Sequence, residues 1–354
     1  MIKKSSKINS LIFRFWAESS NRLVLSISAV FFLIAVFGPF FTNDPKKVDL
    51  FNTLQRPFGD LFYLGTDELG RDLLSGLIHG LRLALKIGLM ASGISFAVGA
   101  FLGLVSTYYG DNHFRLSLLD VLILILSVGV SYFYTFQVFG VLVFNESSGA
   151  LLFLTRLFIS VSFIVLPLFV SRKVSRKLKI KSFFLPLDSL TGRLIELFNA
   201  IPKLILILAC AMLFEEPSAY QVAIILGLTS WTSIARLTRG EVLKIKYQEF
   251  VEFAKSSGLK DWRIIWRYIF PNTLTPVLIT IAFSISGAVL FEATLSFLGL
   301  GVPVEEVSLG NLLMQGKRNM DAWWLIVFPG SILFLLVLSL NLLGRGLSNA
   351  LNKY

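Results

Sequence analysis

The stretch from Glu249 to Asn272 reads EFVEFAKSSGLKDWRIIWRYIFPN and lies between two strongly apolar runs. Its residue types suit docking rather than bond chemistry. Residues 246–257 have helical spacing, with Tyr247, Phe250, Val251 and Ala254 on an apolar side and Glu249 and Glu252 on another. Carboxylates on a solvated helix face can pair with basic groups of a soluble partner. Gly258 suits a helix C-terminal cap, because glycine takes positive φ at little cost. Asp261 is then placed to N-cap a second short helix. In that helix Trp262, Ile265, Trp266 and Ile269 form one apolar stripe, and Arg263 and Arg267 face away. Aromatics of this kind favour a membrane–water boundary. Pro271 interrupts the pattern just before the next apolar run. The expectation is two short helices at nearly a right angle, lying on a membrane face.

Few other residues carry chemistry. Glu292 lies inside an apolar run, where an ionisable group is costly and faces a bundle interior or a water-filled cavity. It is a candidate pathway or gate residue; a place near the interface is the alternative. Asp67, Arg71 and Asp72 form a charged cluster ahead of another run. An ion-paired cap at a helix start is the preferred reading, and contact with a partner protein the sharper one. The segment Gly310 to Arg318 has five residues between its glycines and no Ser or Thr after Lys317. A phosphate loop needs four residues and then Gly-Lys-Ser/Thr, so ATP binding is not expected. One Cys and two His in the whole chain leave no basis for a disulfide or a metal site, and no cofactor is expected.

Composition sets the surroundings of these residues. The chain has 354 residues, 55% hydrophobic and only 16% charged, with a mean hydropathy of +0.74. A soluble chain carries about 25% charged residues. An all-α polytopic membrane protein follows, with no room for a large soluble domain. Apolar runs near 23–41, 78–108, 116–144, 150–170, 194–214, 219–237, 273–298 and 322–343 each approach the roughly 20 residues that cross a bilayer. Eight spans are therefore expected. The first run is too long for a secretory signal and lacks a cleavage site, so it reads as an uncleaved span.

Charge sets the orientation. With the N-terminus inside, the inner segments hold 23 of the 33 Lys and Arg. The strongest inner marker is RKVSRKLKIK, from Arg172 to Lys181. Basic residues gather on the cytoplasmic side, so both termini and the Glu252 loop are expected there. The same rule explains the net charge of +11 better than nucleic-acid binding does.

The loop resembles the "EAA" loop of ABC-importer membrane subunits, in which Glu-Ala-Ala is followed by three residues, Gly, nine residues and Ile-x-Leu-Pro. Glu252, Ala254, Gly258 and Pro271 match at that spacing, while Phe253, Tyr268 and Phe270 replace Ala, Ile and Leu. Other stretches are similar to one subfamily, the C-type permeases of the dipeptide/oligopeptide/nickel group. These are GTDELGRD at 65–72 with Gly80, Arg82 and Leu83, WTSIARLTRGEVL at 231–243, EATLSFLGLG at 292–301 and LNLLGRGL at 340–347. The segment from Glu196 to Pro202 stands where the family has Asp-x-x-x-x-x-Pro. Together the resemblance covers about residues 1–110 and 190–354.

The resemblance implies a permease core of six spans with an inserted pair. It gives an inner segment 1–22, two core spans with the outer segment in 23–110, an inserted transmembrane hairpin and basic linker in 111–189, and the rest of the core in 190–354. It also implies a multi-pass subunit of a bacterial inner membrane, working with a homologous second permease, two ATP-binding cassette ATPase subunits and an outer substrate-binding protein. Glu249, Glu252, Ala254, Gly258, Asp261 and Pro271 are then the ATPase-coupling residues. The implied cargo is di- or oligopeptides, with nickel or a nickel chelate as the alternative. A proton-coupled secondary transporter acting alone is the alternative of another class. Paired intramembrane carboxylates would favour it, and Glu292 is the one carboxylate well inside a span.

Overall fold

A computed structural model describes residues 19–132 and 182–352, apart from 43, 60–61, 215–217 and 304–305, together with the single residues 162, 167 and 171. The described residues fall into two compact units, divided at Tyr108/Tyr109 and at Leu190/Thr191.

The larger unit is built on long apolar helices. Helix α1 spans Ser19–Phe37 and α2 spans Leu73–Tyr109. At 1.5 Å per residue α2 is about 55 Å long, well beyond the thickness of a hydrocarbon core. Its packing face is a repeat of small residues: Gly88, Ser92, Ser95, Gly99 and Gly103. A Cβ on Gly99 would lie 2.6 Å from the Trp231 carbonyl oxygen, and one on Gly103 would lie 2.7 Å from that of Ala235. The hydroxyl of Ser95 donates to the Gly227 carbonyl at 2.9 Å. Small residues let the two backbones approach and replace the hydrophobic drive that lipid removes.

The smaller unit contains a short antiparallel pair, β1 at Arg115–Ser117 and β2 at Ser182–Phe184, with Leu116 opposite Phe183. Helix α3 follows at Leu118–Tyr132. Ser117 and Asp120 cap it reciprocally: the Ser117 N–H donates to the Asp120 carboxylate at 2.8 Å, and the Asp120 N–H to the Ser117 hydroxyl at 3.2 Å. The expected hairpin turn, the expected 150–170 span and the basic linker lie almost wholly outside the described residues.

Helices α4 (Leu187–Ala200) and α5 (Lys203–Ala211) replace the single span expected over 194–214. They bend by 84° at the break. Pro202 is the cause: it has no N–H to donate and holds the residue before it in an extended conformation. Helix α6, Ala219–Lys246, starts in a capping box of Ser218 and Gln221 and outruns the expected 219–237 span. Its polar residues, among them Thr229, Thr232 and Arg236, keep it out of the most apolar class.

A short helix α7 (Glu249–Ser256) comes next, then α8 (Asp261–Ile264), a π-helical turn at Ile265–Ile269 and α9 (Phe270–Phe297). The last three form one continuous run, so the second short helix expected before Pro271 is the start of a span. Pro271 sits in the first turn of α9, where its missing N–H is tolerated. The widened turn ahead of it hands the Phe270 N–H to the Ile265 carbonyl. Helices α10 (Leu309–Arg318) and α11 (Trp324–Asn352) complete the unit. Helix α9 packs against α6, α10 and α11, and α11 against α1.

Among the described residues four helical runs are long and apolar enough to cross a membrane: Arg22–Phe40, Leu73–Tyr109, Asp261–Phe297 and Trp324–Ala350. The bent pair α4–α5 makes a fifth if it counts as one span. The chain is a multi-pass, mostly helical membrane protein.

Candidate functional site

Helix α7 presents two faces with different chemistry. Val251 and Ala254 are buried, at 0% and 2% exposure. Glu249 and Glu252 are exposed. Tyr247 and Phe250, expected on the same apolar side as Val251 and Ala254, are exposed. Phe253, the bulky replacement in the Glu-Ala-Ala pattern, is 75% exposed, so it enlarges the outward face and leaves the core undisturbed. The small Ala254 lets α7 lie close against the unit, while acidic and aromatic groups look outward.

The helix ends in a Schellman motif. The Leu259 N–H donates to the Ala254 carbonyl at 3.2 Å and the Gly258 N–H to the Lys255 carbonyl at 3.0 Å. Gly258 has φ +76°, and a Cβ there would meet nothing within 4 Å. The glycine is therefore required by backbone conformation, as its cap role demands, and not by space.

Asp261 is the first residue of α8 and Lys260 holds the cap position, without a side-chain cap bond. This corrects the expected capping role. The Asp261 carboxylate instead accepts from the Tyr108 hydroxyl at 2.6 Å. Lys255 lies 5.4 Å over the Tyr108 ring, and Lys246 Nζ donates to the Thr107 carbonyl at 3.0 Å. These contacts fasten the segment around α7 to the last turn of α2. A lysine on the last carbonyls of a helix also suits its dipole. The expected aromatic stripe divides as well. Ile264, Ile265 and Ile269 are fully buried, whereas Trp262 and Trp266 are exposed. The exposed tryptophans stack edge to face, and Trp266 continues onto Phe270 at 4.9 Å.

Glu292 stands far from this cluster, about 30 Å along the helix axis from Pro271. It is fully buried, and its carboxylate accepts from the Ser296 hydroxyl at 2.9 Å. The corner beyond it is tight. Gly299, at φ +78°, closes a second Schellman motif: the Leu300 N–H reaches the Leu295 carbonyl at 2.9 Å. Helix α10 then folds back so closely that a Cβ on Gly310 would lie 2.4 Å from the Ala293 carbonyl oxygen. The EATLSFLGLG stretch thus makes a sharp return in which Glu292 is enclosed.

The GTDELGRD segment is a capping structure at the start of α2. Asp67 accepts from the backbone N–H groups of Leu69 at 2.9 Å and Arg71 at 2.8 Å, with Arg71 Nε 3.8 Å away. Burial pushes the Asp67 carboxyl above its ordinary range, and those N–H groups and the Arg71 charge oppose the rise. Asp72 accepts from the Leu74 and Ser75 N–H groups at 3.3 and 3.1 Å, which caps the helix. Trp324 Nε1 donates to the Thr66 carbonyl at 3.1 Å and ties the segment to α11. Among the described residues no group of three or more His, Cys, Asp or Glu is placed to hold a metal ion.

Residues 181–353 match the family described as the binding-protein-dependent transport system inner membrane component. A putative peptide transport system permease protein of Brucella suis biovar 1 is 27% identical over 340 residues, which covers 96% of this chain and 89% of that protein. The dipeptide transport system permease protein of Alkalihalophilus pseudofirmus is 26% identical and covers 93% and 84%. The oligopeptide transport system permease protein of Bacillus subtilis is 23% identical and covers 98% and 92%. The matched segment contains α7, its Gly258 cap, Pro271 and the Glu292 corner. Residues 181–353, just under half of the chain, are thus the segment similar to the inner membrane components of binding-protein-dependent transport systems.

Proposed function

We propose that this chain is one permease half of an ATP-driven ABC importer of di- or oligopeptides. Two ATPase subunits dock on the cytoplasmic loops, α7 among them, a homologous second permease completes the pathway, and an outer binding protein delivers the cargo. The observation that carries the reading is α7 itself: a short helix with an exposed acidic and aromatic face, closed by a glycine in the left-handed region, and fastened to α2 through Tyr108 and Asp261. Movement of the docked ATPase pair would act on α7 and pass into α2 and α6. The difference in docking energy between the inward- and outward-facing states is what drives the switch. Glu249, Glu252 and Phe253 make the docking contacts. Ala254 and Gly258 set the helix against the bundle and end it. Asp261 and Pro271 join it to α9. Glu292 is a candidate gate residue through the corner it occupies beneath α10. The names of the relatives favour peptides over nickel.

In this reading the membrane holds eight spans, both termini are cytoplasmic, and the segment 111–189 is an addition at the periphery of the pathway. The separate compact unit Tyr109–Leu190 supports reading that segment as an addition to the core.

Two outcomes follow. The purified chain is expected to show no ATP hydrolysis by itself, and hydrolysis is expected when the ATPase subunits that copurify with it are added back. Hydrolysis by the contaminant-free chain would end the proposal. Cysteines placed at Lys244 and Lys260 are expected to resist impermeant thiol reagents in intact cells and to react after permeabilisation. Labelling from outside would reverse the topology.

A further inference from the structure

Three basic side chains stand on exposed surface at the depth of the apolar spans. Arg82 and Lys86 lie one turn apart on α2, and Lys203 begins α5. Depth follows from packing. A Cβ on Gly88 would lie 2.9 Å from the Val289 side chain, and Val289 is about 12 Å from the Phe297 end of α9 at helical rise. Lys86 is therefore well inside the bilayer and too deep for its ammonium to join the headgroups without help. None of the three has a carboxylate within ion-pair distance among the described residues. What they have is aromatic surface. Lys86 Nζ lies 4.3 Å over the Tyr220 ring and donates to the Tyr220 hydroxyl at 3.1 Å. Lys203 Nζ lies 4.7 Å over the Phe291 ring.

Both pairs border one apolar cluster, formed by Ile87, Ile207, Ala219 and Phe291 among others. A lysine facing hydrocarbon at this depth is costly, so this face must meet a water-filled cavity or a second protein. Aromatic rings stabilise the ammonium groups without neutralising them or using up their donors. The Tyr220 hydroxyl, which accepts from Lys86, keeps its own hydrogen for donation. Ammonium groups and a phenol arranged in this way suit a carboxylate.

We propose that Lys86 and Lys203, with Tyr220 and Phe291, form an anion subsite in the translocation pathway that receives the carboxylate of the cargo. The inference rests on the importer reading above and narrows its cargo to substrates with a free carboxylate, as a peptide has at its C-terminus. Arg82, one turn nearer the outer end of α2, adds positive potential on the same side.

The test uses the complete transporter, reconstituted with its ATPase and binding-protein partners. Uptake of the dipeptide Ala-Ala is read beside the ATP hydrolysis that the loaded binding protein stimulates. In a Lys86→Met/Lys203→Met transporter, uptake is expected to fall by about tenfold or more, the scale of a lost charge-assisted bond, while stimulated hydrolysis changes by less than about twofold. Lys86→Arg/Lys203→Arg is expected to keep about half of the uptake or more, since the charge survives. Normal uptake in the Met variant overturns the assignment. So does recovery of uptake when Glu215→Gln/Glu216→Gln is added, because the lysines would then be ion-pair partners within the chain.

Should the Met variant not reach the membrane, Lys86→Cys in a Cys210→Ala background provides the same test. Uptake is expected to rise when the thiol receives an aminoethyl adduct and to stay low with a methyl adduct. Equal response to both overturns the assignment. If the wild-type transporter shows no ATP-driven uptake of Ala-Ala, the peptide-importer reading fails first, and the lysine assignment falls with it.

Discussion

A transporter carrying Gly258→Pro is expected to reach the membrane in normal amount and to lose about nine-tenths or more of its ATP-driven uptake. Proline fixes φ near −65°, whereas Gly258 sits at +76°, so the cap cannot form. Proline also removes the N–H that donates to the Lys255 carbonyl. Together these effects cost about 3 kcal/mol or more, enough to change the position of α7 without unfolding the spans behind it. Gly258→Ala isolates one part of this effect. Nothing lies within 4 Å of the added methyl, so only the left-handed conformation is penalised, by about 1–2 kcal/mol, and partial uptake is expected. Glu252→Lys addresses the docking face instead. Its side chain is exposed, so the fold is expected to stay intact while the reversed charge weakens ATPase docking and uptake falls. Normal uptake by both Gly258→Pro and Glu252→Lys, at normal abundance, would remove α7 from the mechanism.

Gly103→Leu is expected to do more general damage. The new side chain would begin 2.7 Å from the Ala235 carbonyl oxygen and 2.9 Å from the Thr238 Cβ. Both belong to α6, and the nearer one is backbone, which cannot rotate away. The helices must separate or the variant must not fold, with an expected loss of about 3 kcal/mol or more. Since α6 runs directly into α7, any protein that does assemble is expected to transport poorly. Gly93→Leu is the control on the same helix, because nothing lies within 4 Å of its position. Comparing the thermal stability of the two purified variants decides the matter. Equal stability would mean that the small-residue face of α2 does not hold α6.

The residues that mark α7 and its cap were legible because they are local. Gly258 reads as a cap from its place after a helical pattern, and the cap geometry depends on neighbours only a few residues away. The exposed positions of Glu249 and Glu252 follow from the same short-range periodicity. Tyr108 was not legible, since its partner Asp261 is 153 positions away and nothing in either segment announces the other. The small-residue repeat on α2 was present in the sequence as Gly88, Ser92, Ser95, Gly99 and Gly103. It passed as part of an apolar run because hydropathy does not distinguish a lipid-facing leucine from a packing glycine.

The misplacements have local physical causes. Residue type points to Asp261 for the cap, but backbone conformation gives that position to Lys260, whose φ and ψ are −64° and 140°. Spacing alone joins Trp262 and Trp266 to Ile265 and Ile269 in one stripe. The π-helical turn at Ile265–Ile269 breaks the period on which that stripe depended. Pro271 reads from sequence as an interruption, yet the same wide turn lets the helix continue into α9. The bend between α4 and α5 falls inside a single apolar run, and Pro202 marks its position.

Transport by this chain is expected to depend on ATP hydrolysis in separate subunits docked at α7. The direct measurement is uptake of a labelled dipeptide into proteoliposomes that contain the chain with its second permease, with and without the ATPase pair, in the presence of loaded binding protein. Accumulation is expected only when the ATPase subunits and ATP are both on the side that faces α7, and it should not respond to an imposed proton gradient. Uptake by the chain alone, driven by a proton gradient with no ATPase present, would contradict the account.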